Sequence, residues 1–138
     1  MIQRRSNSQS YLILNSGKLE NKNIKIAIAD DHKLVREGIV NLLLGQDFDV
    51  VHQCENGKRI HEFVLENDVD IVLMDLNMPV MNGWEATKAI KQDKPSVKVI
   101  GLSMYDDDLS VLRIIKAGAC GYLLKDVEPA QLIKAIHD

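Results

Sequence analysis

The stretch DIVLMDLNMPVMNG, residues 70–83, joins an apolar run to a carboxylate. The run covers Ile71 to Met74, and Asp75 ends it. A short apolar run bounded by polar and turn-forming residues is typical of a strand that is buried on both faces. Such a strand indicates a parallel sheet covered by helices, and its charged end is a candidate functional position.

The same alternation of apolar runs and amphipathic stretches continues from residue 24 to the end of the chain. The predicted strands lie at 24–29, 48–54, 70–74, 97–103 and 120–125, and the predicted helices lie at 33–44, 56–67, 83–92, 106–118 and 129–137. Five strands, each followed by a helix, predict an α/β fold with a parallel sheet and helices on both faces. In the first helix, Leu34, Ile39 and Leu43 are expected on the inward face.

Composition narrows the class of protein. With 138 residues, 46% of them apolar, and a net charge of −3, the chain is expected to form one compact domain without a basic nucleic-acid surface. No stretch is long and apolar enough to predict a membrane span, and there is no signal-peptide pattern. Cys54 and Cys120 follow no metal-binding spacing, so both are predicted to be small buried residues of a protein in the reducing cytoplasm.

The chain divides into two parts. Residues 1–23 are rich in Asn, Ser and Gln, and this composition predicts a flexible N-terminal extension. Within it, the stretch SYLIL at 10–14 could add an edge strand. Residues 24–138 are predicted to form the folded domain.

Polar side chains follow four of the five predicted strands. Asp30 and Asp31 follow the first strand, Asp75 the third, Ser103 the fourth and Lys125 the fifth. Ligands of parallel α/β sheets bind beyond the carboxyl ends of the strands, so these side chains are expected to meet there. Two carboxylates about 5 Å apart repel by roughly 3 kcal/mol, and oxygen ligands suit Mg²⁺ or Mn²⁺. A carboxylate nucleophile, a metal, a lysine and a hydroxyl are together what a phosphoryl acceptor needs.

Four motifs occur in a specific order: Asp30-Asp31, MDLNMPVMNG at 74–83, GLS at 101–103 and KAGACGYLLKD at 116–126. With them, residues 24–138 resemble the receiver domain of bacterial two-component response regulators. Two stretches resemble more specifically the receivers that precede a LuxR/NarL-type helix-turn-helix: ADDHKLVREGIVNLL at 29–43 and KAGACGYLLKD at 116–126. The resemblance implies a flavodoxin-like, doubly wound sheet of five parallel strands in the order 2-1-3-4-5, with five helices.

The resemblance also implies residue roles. Asp75 would be the phosphoacceptor. Asp31, Asp75 and the backbone carbonyl of Asn77 would hold Mg²⁺ or Mn²⁺ directly, with Asp30 acting largely through water. The phosphoryl group would be contacted by Ser103, Lys125 and the backbone N–H groups of Asn77 and Met104. Tyr122 would be the aromatic switch residue, and Asn77 and Tyr105 would tune dephosphorylation.

The implied function is a phosphorylation-dependent signalling switch, not a turnover enzyme. A sensor histidine kinase or a phosphotransfer protein would donate the phosphoryl group, and phosphorylation would favour a homodimer or a contact with an output domain. Because the sequence ends at Asp138 with the last predicted helix, we expect a longer transcription regulator that binds DNA through a C-terminal domain. A stand-alone receiver or phosphorelay intermediate is the alternative.

Some residues depart from the pattern or admit other interpretations. Asp126 stands where many receivers have proline after a cis peptide, and a cis bond before a non-proline residue costs about 3 kcal/mol. Ser103 replaces the commoner threonine. His32 is interpreted as a helix-start residue rather than a ligand. An aspartyl-nucleophile phosphohydrolase of the haloacid dehalogenase type is disfavoured because its nucleophile follows the first strand. An FMN carrier is disfavoured because Asp30-Asp31 would repel a phosphate.

Overall fold

The computed structural model describes residues 2–4, 10–13, 19–21, 23–104 and 108–138. The strands in these residues are β1 Ile2–Arg4, β2 Ser10–Ile13, β3 Leu19–Asn21, β4 Ile24–Ala29, β5 Phe48–Cys54, β6 Ile71–Asp75, β7 Lys98–Ser103 and β8 Gly121–Leu124. The helices are α1 Lys33–Leu43, α2 Gly57–Glu66, α3 Gly83–Asp93, α4 Asp108–Lys116 and α5 Pro129–His137. All ten elements predicted from residue 24 onward are therefore present.

Strands β4 to β8 form one sheet in the order β5-β4-β6-β7-β8, with parallel pairing throughout. Counted from β4, this order is the predicted 2-1-3-4-5. The β-branched and apolar residues of β4 and β6 favour strands that are buried on both faces, and all five residues of β6 are buried. The predicted fold class is confirmed.

The two faces of the sheet carry separate hydrophobic cores. Because side chains alternate along a strand, Ile26 and Ile28 of β4 pack with α1 and α5, whereas Ala27 and Ala29 pack with α2, α3 and α4. The helices therefore lie on both sides of the sheet, and the carboxyl ends of the parallel strands all lie along one edge.

The N-terminal strands form a separate sheet. The antiparallel order is β1-β2-β3, so Ser10–Ile13 is the central strand of this small sheet and not an edge strand of the large one. The flexibility predicted for residues 1–23 stays a prediction.

Three sequence expectations about individual residues can be checked. Leu34 is 84% exposed, so its predicted inward position is wrong; the covered part of α1 lies further along, at Ile39 and Leu43. Cys54 is buried, and burial raises the pKa of its thiol to about 11, but Cys120 is exposed, contrary to the prediction. It lies just before β8 begins, outside the covered strand.

Two further features concern the backbone and the membrane. The described residues contain no cis peptide, so the Lys125–Asp126 bond, which the sequence left open, is trans. Among the helices that the structure describes, none combines the length and apolar character needed to cross a membrane.

Candidate functional site

The strand register brings the predicted site residues to one edge of the sheet. Asp75 ends β6 and pairs with Leu102 of β7, and Ser103 ends β7 and pairs with Leu124 of β8. Lys125 follows β8 directly, and its N–H donates to the carbonyl of Ser103 at 2.8 Å. Asp30 follows β4, the other neighbour of β6. Four strand ends therefore supply the residues of one site.

Three carboxylates form the centre of this site. The side chain of Asp30 is fully buried, that of Asp75 is 4% exposed and that of Asp31 is 34% exposed. One ligand atom from each of these residues and from His32 lies within 4.8 Å of the others. At this separation two ionised carboxylates repel by roughly 3 kcal/mol, so the cluster attracts cations.

Lys125 supplies a positive charge to the cluster. Its Nζ lies 3.0 Å from Oδ2 of Asp30 and 3.1 Å from Oδ1 of Asp75, and its side chain is only 3% exposed. One ammonium thus pairs with two buried carboxylates and leaves the three-carboxylate cluster with an excess of negative charge.

The electrostatics of Asp75 reflect this imbalance. Burial raises the pKa of its carboxyl to about 7, and the nearby Asp30 charge adds to the rise, while Lys125 opposes it. Oδ1 accepts a long hydrogen bond from the N–H of Asn77 at 3.4 Å. Oδ2 is buried and has no hydrogen-bond partner among the described residues. A buried carboxylate oxygen without a donor fits a divalent cation, and the oxygen donors of this cluster suit Mg²⁺.

Local structure fixes Asp30 in this position. Its N–H donates to the carbonyl of Cys54 at 3.0 Å on the neighbouring strand. Its own carbonyl accepts from Nη1 of Arg36 at 2.6 Å, and its Oδ1 accepts from the N–H of His32 at 2.8 Å. Sequence analysis did not single out Arg36, whose position one turn into α1 gave no separate signal of this contact.

The loop after Asp75 is built tightly. The N–H of Gly83 donates to the carbonyl of Leu76 at 3.0 Å, and a Cβ at Gly83 would overlap the backbone carbonyl of Asp75. Gly83 is therefore required by close approach, because it does not adopt the positive φ that would otherwise favour glycine. The positive φ belongs instead to Val80, at 68°, in a turn closed by the hydrogen bond from Met81 N–H to Pro79 O.

Of the other predicted site residues, Ser103, Met104 and Asn77 lie at the same edge of the sheet, whereas Tyr122 lies within β8 and pairs with Gly101. Ser103 is buried at the end of β7, Met104 next to it is 56% exposed, and Tyr122 in β8 is half-buried against the core beneath α2, α3 and α4. Asn77 is exposed beside Asp75. Tyr105 lies outside the described residues. The roles assigned to these residues stay predictions.

His32 is the residue whose place in the site the sequence interpretation missed. It does begin a helix, as expected, because it is the N-cap of α1. However, its imidazole makes no capping hydrogen bond, and its Nδ1 lies 3.2 Å from Asp30 Oδ1 and 3.3 Å from Asp31 Oδ1. The sequence signal that could have placed His32 in the site is its position directly after Asp30 and Asp31.

Comparison with known proteins identifies the family. Residues 26–137 match the response regulator receiver domain. The chain belongs to this family. The receiver domain is 46% identical over 118 residues to the transcriptional regulatory protein DegU of Brevibacillus brevis, covering 85% of this chain and 50% of that protein. It is 38% identical over 113 residues to the nitrate/nitrite response regulator protein NarL of Escherichia coli K12, covering 81% and 52%.

Solved structures agree with this assignment. A two-component response regulator of the LuxR family from Aurantimonas sp. SI85-9A1 superposes on the receiver domain with a TM-score of 0.78 and 32% identity, covering 84% of each chain. The predicted likeness to LuxR/NarL-type receivers is confirmed. The receiver domain spans about half the length of the curated relatives it matches.

Proposed function

We propose that this receiver domain accepts a phosphoryl group on Asp75 from a sensor histidine kinase or a phosphotransfer protein and acts as a signalling switch. The observation that carries this proposal is the state of Asp75 at the end of β6. Its side chain is 4% exposed, its Oδ2 has no partner in the described residues, and Lys125 Nζ lies 3.1 Å from its Oδ1. A carboxylate held this rigidly beside a cation is a suitable nucleophile.

The covalent step exchanges one bond to phosphorus for another. A carboxylate oxygen of Asp75 forms a bond to the phosphorus of a phosphohistidine, the P–N bond breaks, and its electron pair returns to the imidazole of the donor. Lys125 is close enough to stabilise the charge on the phosphoryl oxygens, and the hydroxyl of Ser103 lies at the adjacent strand end. Gly83 keeps the loop beyond Asp75 close to the sheet.

Asp30, Asp31 and Asp75 would hold Mg²⁺, together with the backbone carbonyl of Asn77. When bound, the ion would neutralise the carboxylates and the incoming phosphoryl oxygens. The fit rests on the excess negative charge of this cluster and on the buried Oδ2 of Asp75. Mn²⁺ takes similar oxygen ligands and would also fit.

The switch would operate through β8 and its neighbouring helices. Lys125 follows β8 directly, so movement of its side chain toward a phosphoryl group would pull on the strand that carries Tyr122. Helix α4 presents exposed apolar side chains at Leu109, Leu112 and Ile115 on the surface next to this strand. A shift in β8 would change this surface and with it the affinity for a second copy or for an output domain.

We infer that the whole protein regulates transcription in the cytoplasm. The support is the naming of DegU as a transcriptional regulatory protein and of NarL as a nitrate/nitrite response regulator, together with the match of this chain to only about half of each relative. In that case DNA binding resides outside the receiver domain, because the net charge of −3 for the whole chain does not favour a nucleic-acid surface.

Intact-mass measurement after incubation with acetyl phosphate tests the proposal. The wild-type protein should gain one phosphoryl group in Mg²⁺ and none in EDTA, and hydroxylamine should remove it. Asp75→Asn should gain none. Asp70→Asn is the matched control, because Asp70 lies before the opposite end of the same strand and its carboxylate accepts from the backbone of Lys25. An adduct that persists in Asp75→Asn would overturn the assignment of the nucleophile.

A further inference from the structure

His32 Nδ1 lies close both to hydrogen-bond acceptors and to a hydrogen-bond donor. It lies 3.2 Å from Asp30 Oδ1 and 3.3 Å from Asp31 Oδ1, and carboxylates need an N–H donor. It also lies 3.1 Å from Lys125 Nζ, and an ammonium needs a lone pair. A single nitrogen cannot donate and accept at once. A cation bound to the lone pair would bridge the nitrogen to the carboxylate oxygens, and Lys125 would keep its contacts with Asp30 Oδ2 and Asp75 Oδ1.

The distances match those between the ligands of one metal ion. In an octahedral site with bonds of about 2.1 Å, neighbouring ligands lie about 3.0 Å apart and opposite ligands about 4.2 Å apart. Nδ1 lies 3.2 and 3.3 Å from the oxygens of the acid pair and 4.0 Å from Oδ2 of Asp75. The buried Oδ2 of Asp75, which has no hydrogen-bond partner among the described residues, separately favours a cation ligand at this position.

The backbone that carries the imidazole is held in place. The backbone N–H of His32 donates to Asp30 Oδ1 at 2.8 Å, which fixes the backbone next to the carboxylates. The side chain is not used to cap α1, and it is 55% exposed, so solvent and ions can reach it.

We propose that His32 is an additional ligand of the metal site, and that it shifts the preference of this site from Mg²⁺ toward first-row transition-metal ions. Mg²⁺ favours carboxylates and water, whereas imidazole favours Ni²⁺, Zn²⁺ and Cu²⁺ and is accepted by Mn²⁺. A site of three carboxylates and one imidazole therefore discriminates less against transition metals than a site of carboxylates alone. The proposal rests on the metal site of the proposed function.

Isothermal titration with Mg²⁺, Mn²⁺ and Ni²⁺ tests this role. In His32→Ala, the Ni²⁺ affinity should fall at least about tenfold, while the Mg²⁺ affinity should change by less than about twofold. His32→Asn, which offers an amide oxygen, should show the same loss for Ni²⁺ and keep Mg²⁺ binding. His137→Ala is the control for the loss of an exposed histidine away from the site, since its ring contacts Phe48.

A spectroscopic measurement tests whether the His32 nitrogen binds the metal directly. Pulsed electron paramagnetic resonance of bound Mn²⁺ should show coupling to a directly bound ¹⁴N in the wild type, and this coupling should be absent in His32→Ala. An unchanged ratio of Ni²⁺ to Mg²⁺ affinity in His32→Ala, or nitrogen coupling that persists there, would overturn the role of His32.

Asp31→Asn separates this inference from the proposed function. If Asp31→Asn loses Mg²⁺ binding while His32→Ala behaves as wild type toward Ni²⁺, then only the role of His32 is wrong. If the wild type binds none of the three ions, both the inference and the metal-dependent function are overturned.

Discussion

Replacing Asp75 with asparagine is expected to stabilise the metal-free protein at pH 8 while abolishing phosphorylation. The side chain of Asp75 is 4% exposed, and burial together with the Asp30 charge raises its pKa from 3.8 to about 7. Ionising this carboxyl therefore costs about 4 kcal/mol more in the folded protein than in the unfolded chain. Part of this cost comes from repulsion with Asp30, and Lys125 loses one partner in the mutant. We therefore expect Asp75→Asn to raise the free energy of unfolding by about 2–4 kcal/mol at pH 8.

The pH dependence has a definite sign. Between about pH 4 and pH 7 the folded protein holds the Asp75 proton and the unfolded chain does not. The free energy of unfolding therefore falls as pH rises through this window, by up to about 1.4 kcal/mol per pH unit from this group. Above about pH 7 the contribution is constant. Asp75→Asn should lack this slope, so the two proteins should differ little at pH 4 and most at pH 8.

Urea denaturation in EDTA at several values between pH 4 and pH 9 measures this difference. Asp68→Asn is the control for the loss of one negative charge, because the Asp68 side chain is 91% exposed. Mg²⁺ should stabilise the wild type at pH 8 more than Asp75→Asn, since binding to the folded state adds to its stability. Parallel pH profiles for wild type and Asp75→Asn, or a mutant that is less stable at pH 8, would refute the electrostatic account of Asp75.

Three further predictions give separate tests. Gly83→Ala places a Cβ against the backbone carbonyl of Asp75 and should cost at least about 2 kcal/mol in thermal denaturation, whereas Gly38→Ala, with open space around it in α1, should stabilise by up to about 1 kcal/mol. Val80→Gly should stabilise by about 0.5–1 kcal/mol, because it relieves a positive φ at a residue that is 78% exposed; a loss of stability would contradict the strain. Lys125→Met removes the ammonium beside two buried carboxylates and should cost about 3–5 kcal/mol at pH 8 and less at pH 5, with no phosphoryl adduct by intact mass.

The fold could be predicted from the sequence because each strand has a recognisable local pattern of residues. Runs such as Ile24–Ala29 and Phe48–Cys54 are rich in apolar and β-branched residues and end at polar ones, and the structure places both strands at the predicted bounds. The polar residues at the strand ends followed from one further rule, that parallel strands end at the same edge, whereas the remaining site residues came from the family resemblance. Asp30, Asp75 and Lys125 were placed together on that basis alone.

The sequence could not show which residues of a helix or strand are covered by the neighbouring elements. The 3.6-residue period assigned Leu34 to the inward face of α1, but it does not reveal that the full cover by the sheet lies at Ile39 and Leu43, further along the helix. The prediction for Cys120 failed for a similar reason, because apolar neighbours in the sequence do not guarantee that a residue is buried in the folded protein. The positive φ at Val80 was also hidden, since a β-branched residue gives no local sign of such a turn.

The stability cost and the proposed chemistry at Asp75 have one origin. Burial at the end of β6 makes ionisation of the carboxyl unfavourable, because Oδ2 is shielded from bulk solvent and the described residues offer it no donor. The same poor solvation leaves the oxygen available to a cation or to phosphorus, so any ligand that supplies positive charge recovers part of the cost. Lys125 compensates two carboxylates only partly, and this shortfall makes occupation of the site favourable. A better-neutralised site would give a more stable protein but a weaker response to metal and phosphoryl binding.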